Sequence, residues 1–257
     1  MSAAASPRLR LPQVTLCAAA CVNVETTISA MVRCLAQGDF ARALLFSDAE
    51  GIVLPDGIGH VPIPRLHSSS DYSRFVLHDM VRWIETSHCL IVQWDGFILD
   101  AGAWDAAFLD FDYIGAPWPQ FTDGHDVGNG GFSLRSRRLM QCCLAPQFVD
   151  DGKAEDLVVA RLNREWLEQE CGMRFADRAI AARFSFERDH DAERTFGFHG
   201  VFNLPEAVGV NAFWDIYCQL DDRTTVRTDF WPLLRALVLG PAGLKRAWRF
   251  LRDRYLV

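Results

Sequence analysis

The sequence predicts an α/β fold whose first half is built on a parallel sheet. Three apolar runs typical of buried strands end at Ala20, Phe46 and Trp94, and helical patterns separate them. Strands and helices in this alternation favour right-handed crossovers between parallel neighbours. The chain has 257 residues, 50% hydrophobic and 23% charged, which is enough to bury one sizeable core. These values exclude a disordered tail, a collagen-like chain and a small disulfide scaffold.

The elements of the first half follow from apolar spacing and from end signals. Asn23 can cap a helix and Gly38 can end it, and apolar residues recur on one helical face between them. A loop rich in Gly, Pro, His and Ser follows the second strand, and Asp71 begins the next helix. The predicted strands are 14–20, 41–46, about 60–63 and 88–94, and the predicted helices are 24–35 and 71–84.

The second half of the chain is less regular. Strands are predicted at 110–116 and 131–135 around a Gly-Asn-rich loop, with a helix at 154–170 and short strands at 184–187 and 196–200. No repeat, linker or low-complexity tract divides the chain. We therefore predict one domain over 1–229 and a C-terminal helical segment over 230–257.

Charge and cysteine content restrict the partners. There are 26 Lys and Arg against 33 Asp and Glu, a net charge of −7, whereas proteins that bind nucleic acid usually carry a basic balance. The eight cysteines form no CxxC pair and are typical of buried small apolar residues. The sequence has no signal-peptide pattern and no apolar stretch of ~18 residues, so we expect a reducing, cytoplasmic location.

Common motifs for phosphate binding and hydrolysis are absent. There is no GxGxxG after the first strand, no GxSxG, and no Walker A sequence, since Gly152-Lys153 is followed by Ala154. Phosphoryl transfer and α/β-hydrolase chemistry are therefore disfavoured.

Acidic residues follow two of the predicted strands. Asp48 comes after the second strand, and Asp95 comes after the third within Gln93-Trp94-Asp95-Gly96. An acid at such a position can simply form a turn. It can also serve a cation or sugar site, because ligands of open α/β sheets bind at the carboxyl ends of the strands.

Three later features allow a structural or a functional interpretation. Gly128 to Gly131 forms either a mobile turn or a loop that a ligand approaches closely. Glu155 and Asp156 suit a helix N-terminus, and one of them could act as a general base. His199, between Phe198 and Gly200, is either a core histidine or a metal ligand.

Five segments in fixed order resemble a known family. They are QWDGF at 93–97, DYIGAPWP at 112–119, GNGGFSLRS at 128–136, AEDLV at 154–158 and FGFHG at 196–200. The chain resembles, from about Val14 to Gly200, an uncharacterised bacterial domain family regarded as glycosyltransferase-like with the GT-A fold. The resemblance implies a Rossmann-related mixed sheet flanked by helices.

The resemblance also implies a donor site. GT-A enzymes hold a nucleotide-sugar over the first half of the sheet, and an acidic motif binds a divalent ion, Mn2+ or Mg2+, that bridges the diphosphate. In this chain Asp95 alone carries a carboxylate at that place, beside Gln93 and Trp94, and His199 is the candidate second metal ligand. Asp48 is assigned to the same donor region.

The implied catalytic residues lie further along the chain. Asp156, with Glu155 secondary, matches the base of an inverting enzyme, and Asn129, Gly130 and Gly131 would lie against the donor sugar or the acceptor. The implied reaction moves a sugar to a hydroxyl of a glycan or lipid-linked acceptor in bacterial surface polysaccharide synthesis. The alternative is a non-catalytic nucleotide- or carbohydrate-binding module with a degenerate GT-A fold.

Aromatic and basic residues suggest two further surfaces. Trp94, Trp104 and Trp118 are either walls for sugar stacking or core residues. From residue 230 onward there are six basic residues and one acid, a net +5. Leu244, Trp248, Leu251 and Tyr255 share one helical face there, flanked by Lys245, Arg249 and Arg252. Such a helix either docks on its own acidic domain or lies peripherally on an anionic membrane.

Overall fold

A six-stranded mixed sheet organises the molecule, whose computed structural model describes residues 8–189 and 192–256. The sheet strands are β1 (Leu9–Ala19), β2 (Gly38–Ser47), β3 (Ile58–Pro62), β4 (His88–Ile91), β5 (Tyr113–Ile114) and β8 (Ser133–Ser136). Their order in the sheet is β3-β2-β1-β4-β8-β5. Strands β1 to β4 run parallel, and β8 is antiparallel to both of its neighbours. The predicted fold class, a mixed α/β sheet flanked by helices, is confirmed.

Two small two-stranded sheets complete the strand inventory of the described residues. They pair β6 (Ala116–Pro117) with β7 (Val127–Gly128) and β9 (Ser185–Phe186) with β10 (Gly197–Phe198). The described α-helices are α1 (Val24–Gln37), α2 (Ser69–Arg74), α3 (Arg137–Cys142), α4 (Glu155–Leu157), α5 (Arg164–Gln169), α6 (Arg178–Phe184), α7 (Leu204–Ala207), α8 (Val210–Gln219), α9 (Phe230–Leu239) and α10 (Gly243–Leu256).

Strand β1 shows why the apolar run at 14–20 forms the centre of the sheet. Its side chains alternate between two faces, so Leu16 and Ala18 enter one core while Cys17 and Ala19 enter the other. Helices must cover both faces, as is usual for parallel sheets. Because β2 and β4 lie on opposite sides of β1, the strand order reverses there and leaves a crevice at the carboxyl ends of β1 and β4.

The predicted continuous helix at 154–170 is wrong in one respect, since it is interrupted. After α4 the chain makes a wide π-helical turn, Val158–Leu162, and α5 begins after Asn163. The amide of Asn163 is buried and bonds both backbone groups of Val149 and the carbonyl of Val158. This side chain competes with the backbone ladder and explains the break.

The C-terminal helices continue the main core. Phe250 stacks on Phe230 with ring centroids 4.7 Å apart and meets Tyr217 at 5.0 Å. Helix α10 docks through Ala247, Phe250 and Asp253, which are all buried. No helix among the described residues combines the length and apolarity needed to cross a membrane.

Candidate active site

A cavity of about 310 Å³ opens at the carboxyl ends of β1 and β4. It lies where the strand order reverses, the usual ligand position in open α/β sheets. Its lining residues are Ala19, Ala20, Cys21, Val22, Thr27, Leu66, His67, Ser68, Ser69, Tyr72, Gln93, Trp94 and Asp222. The rings of Tyr72 and Trp94 supply apolar walls, and backbone and hydroxyl groups supply polar ones.

The loop after α8 closes one wall of this cavity. Asn23 adopts a left-handed conformation at the entry to α1, and its backbone N–H donates to Asp221 Oδ1 at 2.5 Å. The Asn23 amide exchanges two hydrogen bonds of 2.9 Å with the backbone of Asp222. Two distant parts of the chain are thereby joined at the cavity.

A tight turn carries Gln93 and Asp95 past the end of β4. Gln93 and Gly96 exchange two backbone hydrogen bonds of 3.1 Å. The Gln93 amide donates to the Tyr72 hydroxyl at 2.9 Å, and its Oε1 lies 3.3 Å from His199 Nε2. The turn therefore links the cavity to the histidine.

Asp95, His199 and Glu187 form a half-buried acid–imidazole–acid row. His199 Nδ1 lies 3.2 Å from Glu187 Oε1, and Nε2 lies 3.7 Å from Asp95 Oδ1. Asp95 Oδ1 is shielded from solvent and accepts no hydrogen bond from the described residues. Asn203 fixes the backbone of this row by donating to the carbonyls of Glu187 and His199 at 2.8 Å.

The electrostatics of this row follow from burial and from opposite charges. Burial raises the pKa of Asp95, partly offset by the nearby imidazole. For His199, burial alone would lower the pKa, but the carboxylates of Asp95 and Glu187 outweigh it and raise the pKa to about 9. The two acidic neighbours therefore favour the protonated imidazole, and a divalent ion bound at Nε2 would have to replace the proton there.

The glycine run at 128–131 is packed against side chains of the protein itself. A Cβ on Gly131 would come within 2.0 Å of His199 Nε2, and one on Gly130 within 1.7 Å of Glu155 Oε1. At Gly128, the ring of Trp118 occupies the space that a Cβ would need. In this run only Asn129 has a positive φ, 72°. The glycines are thus required by close packing rather than by a mobile turn.

Glu155 and Asp156 differ sharply in their partners. Glu155 accepts a 2.6 Å hydrogen bond from Arg135 Nη2, and both side chains are almost fully buried. Asp156 instead accepts backbone hydrogen bonds from Gly130 at 3.2 Å and Leu157 at 2.8 Å, and it forms no ion pair with a described residue. Burial and the neighbouring Glu155 raise the pKa of Asp156 to about 6.

Most of the predicted site residues come together, and one lies aside. Asp156 and His199 contact consecutive glycines, and His199 meets Gln93 and Asp95. Asp48, at the end of β2, pairs with Arg65 at 2.9 Å and does not line the cavity. Trp104 packs against Phe108 and Phe196, and Trp118 is buried, so both occupy core positions.

Three residues of the site were not predicted: Tyr72, Arg135 and Glu187. Glu187 ends the strand predicted at 184–187. Asp95 was selected because an acid at the carboxyl end of a strand can serve a ligand site, and the same reasoning applies to Glu187. Arg135 lies inside an apolar strand run, and a buried arginine requires a buried acid. Tyr72 lies in the first turn of α2, where no local signal marks it.

Comparison with known proteins gives a family match and distant structural likenesses. The profile of a family described as "Protein of unknown function (DUF5672)" matches residues 58–199. A search of curated protein sequences finds no match.

The chain is similar to the mannosyltransferase PcManGT from Pyrobaculum calidifontis in complex with GDP-Man and Mn2+, at 12% identity and a TM-score of 0.42, over 96% of this chain and 75% of that one. It is similar to an active-site mutant of LgtC at 12% identity and a TM-score of 0.43, over 81% and 96%. Likenesses this distant transfer no activity.

Proposed function

Since this chain belongs to the DUF5672 family of proteins of unknown function, we propose its activity from the site: transfer of a sugar from a nucleotide-sugar donor to an acceptor hydroxyl. One observation carries the proposal. The Asp95–His199 pair and the Asp156 carboxylate contact a single glycine loop, beside a cavity at the reversal of strand order. A leaving-group site and a base are thereby adjacent.

The cavity suits the nucleoside part of the donor. Aromatic rings of Tyr72 and Trp94 offer stacking surfaces, and its polar groups lie at strand and helix ends. The diphosphate would then extend toward Gln93 and Asp95, and the sugar toward Gly130 and Gly131. Asn129 holds this loop in place, since its side-chain oxygen accepts from Gly131 N at 3.0 Å.

The residues beside the cavity fit a divalent ion. Asp95 Oδ1 is a buried oxygen that accepts no hydrogen bond from any described residue, and His199 Nε2 lies 3.7 Å from it. Glu187 holds the opposite imidazole nitrogen, as acidic neighbours of metal-bound histidines commonly do. No three His, Cys, Asp or Glu side chains within 8–189 and 192–256 are grouped to hold a metal. Donor phosphates and water would therefore complete the shell, as is usual for Mg2+. When bound, the ion stabilises charge on the leaving diphosphate.

Asp156 is the base in this proposal. With its pKa raised to about 6, it is mostly ionised at neutral pH yet basic enough to take a proton. The acceptor oxygen attacks the anomeric carbon, its proton passes to Asp156, and the bond to the diphosphate breaks with inversion. Glu155 cannot share the role, because Arg135 occupies its carboxylate.

A donor screen tests the proposal. The full chain is incubated with a panel of nucleotide-sugars and Mn2+, and release of nucleoside diphosphate is measured with and without simple sugar acceptors. We expect turnover with at least one donor, and its loss in Asp156→Asn but not in the matched control Asp177→Asn. Calorimetry with nucleoside diphosphates should show binding that Mn2+ strengthens, weakened in Asp95→Asn and His199→Ala.

The alternative is a nucleotide- or carbohydrate-binding module without turnover. It is favoured by the closed row in which His199 is already paired with two acids, so that no ligand is needed to satisfy it. In that case nucleoside diphosphate affinity would be the same with and without Mn2+, and no donor would be consumed. A lipid-linked or surface-glycan acceptor and a cytoplasmic location are further parts of the proposal.

A further inference from the structure

The hairpin of α9 and α10 presents an unusual outer surface. Twelve large apolar side chains are strongly exposed among the described residues, and six of them lie in this hairpin. The six include all three of the exposed aromatic residues. They are Trp231, Val238, Leu239, Leu244, Trp248 and Tyr255.

Helix α10 leaves most of its predicted apolar face exposed. It docks through Ala247 and Phe250, while Leu244, Trp248 and Tyr255 are 84%, 65% and 69% exposed. Helical spacing of roughly 100° per residue places these three side chains on one stripe, directed away from Phe250. Leu251, the fourth residue of the predicted apolar face, packs against the core at the edge of this stripe.

Basic side chains border the same stripe. Lys245 and Arg252 are exposed, and the Arg252 guanidinium lies 5.7 Å from the centre of the Trp248 ring. The acid of α10, Asp253, is buried beside Tyr217 and Arg223. Helix α9 contains no acid and adds the exposed Arg235. The outer surface of this hairpin is thus cationic on a protein of net charge −7.

We propose that the α9–α10 hairpin docks on the surface of an anionic lipid bilayer. Aromatic and leucine side chains enter the boundary between headgroups and acyl chains, and the flanking cations meet the lipid phosphates. A second copy of the chain is a poorer occupant, because two such faces would bring like charges together. The docking needs no donor or acceptor, so it stands apart from the proposed transfer reaction.

Vesicle sedimentation tests the docking. The full chain should pellet at low salt with phosphatidylcholine vesicles containing phosphatidylglycerol, and much less at high salt or without the anionic lipid. Lys245→Gln with Arg252→Gln should weaken binding roughly 25-fold, about fivefold per cation. The matched control, Arg10→Gln with Arg82→Gln, removes two exposed cations elsewhere and should bind like wild type.

A fluorescence measurement locates the contact. Vesicles with brominated acyl chains should quench part of the tryptophan emission, and Trp231→Phe with Trp248→Phe should abolish the quenching, whereas Trp83→Phe should not. The proposal is overturned if the wild type stays in the supernatant at low salt, or if the control variants lose as much binding. It is equally overturned if analytical ultracentrifugation shows a dimer that Trp248→Ser dissociates and the wild type does not bind vesicles.

Discussion

Carboxylates pack against both ends of strand β8, with Asp112 at one end and a partly buried cluster of Glu155, Asp156 and Asp95 at the other. The two ends of β8 differ in how fully their carboxylate oxygens accept hydrogen bonds. At its last residue, Asp112 accepts from the Ser136 hydroxyl at 2.5 Å, from Arg138 at 2.6 and 3.2 Å, and from the Arg174 backbone at 2.8 Å. Burial would raise the pKa of Asp112, yet these donors outweigh it and lower the pKa below its usual value. We interpret Asp112 as a structural carboxylate, because its oxygens accept these hydrogen bonds within the fold.

The cluster before the first residue of β8 is built differently. Among the described residues, Asp156 accepts hydrogen bonds only from backbone N–H groups, and Asp95 Oδ1 nearby accepts none. The pKa of Asp156 is raised. Incomplete pairing of buried acids costs stability, and it leaves the acids free to bind a cation or to take a proton. The comparison separates a structural acid from a candidate catalytic one at the two ends of one strand.

The largest effect should come from Asp156→Asn. We expect transfer to fall roughly 10²–10⁴-fold, because the isosteric amide cannot accept the proton. Single-turnover transfer with the donor found in the screen measures it. A near wild-type rate, or a larger loss in Glu155→Gln, would reassign the base.

The same substitution should make the protein more stable. Because the pKa of Asp156 is raised to about 6 in the fold, stability is lost as pH rises through that value. Removing the charge should therefore add roughly 1–3 kcal/mol at pH 7 and little at pH 4, by urea unfolding.

Arg135→Met tests the pair that separates Glu155 from Asp156. It leaves a buried carboxylate without its cation, which should cost roughly 3–5 kcal/mol of unfolding free energy. Adding Glu155→Gln should recover much of that loss, since the uncompensated charge is gone. If the double variant is no more stable than Arg135→Met alone, the uncompensated charge of Glu155 is not the cause of the lost stability.

Asp112→Asn tests the satisfied end of β8. We expect a loss of roughly 1.5–3 kcal/mol, the size of hydrogen bonds to a charged group, with transfer per folded molecule unchanged. Because the pKa of Asp112 is lowered in the fold, this difference should be full above about pH 4 and vanish at lower pH. A change in transfer rate would mean that the two ends of β8 are not independent.

The smallest effect is the pH dependence of transfer by the wild type. Below the pKa of Asp156, about 6, the rate should fall about tenfold per pH unit as the base becomes protonated. Asp156→Asn should have a flat profile in the same range. A wild-type profile that is flat from pH 5 to 7, by contrast, would exclude this carboxylate as the base.

The first half of the fold could be predicted because its signals are local. The apolar runs at 14–20, 41–46 and 88–94 contain strands, although β4 ends at Ile91 and β1 begins earlier, at Leu9, with a register shift between Leu11 and Thr15. Pro12 lies in that shift, where a residue without an N–H is tolerated. The break at Asn163 could not be predicted, because it depends on a contact with Val149 across a loop.

The candidate site could be predicted only where a residue ends a strand or opens a helix. Asp95, Glu155 and Asp156 satisfy that rule, and they lie where ligands of α/β sheets bind. The ion-pair partner of Arg135 could not be predicted. Arg135 pairs with Glu155, 20 residues further along the chain, and not with Asp156, and this choice depends on the folded geometry. The separation of Asp48 from the cavity depends likewise on its pairing with Arg65.

The closure between α1 and the loop after α8 bears on the order of folding. Asn23 meets Asp221 and Asp222 across 198 and 199 residues, whereas β1, α1 and β2 are consecutive along the chain. Closing so large a loop costs chain entropy before its contacts compensate, so local elements form first. The cavity wall should thus be among the last parts to assemble and the first to open. A ligand that fills the cavity would then stabilise the closed wall and slow the opening that precedes unfolding.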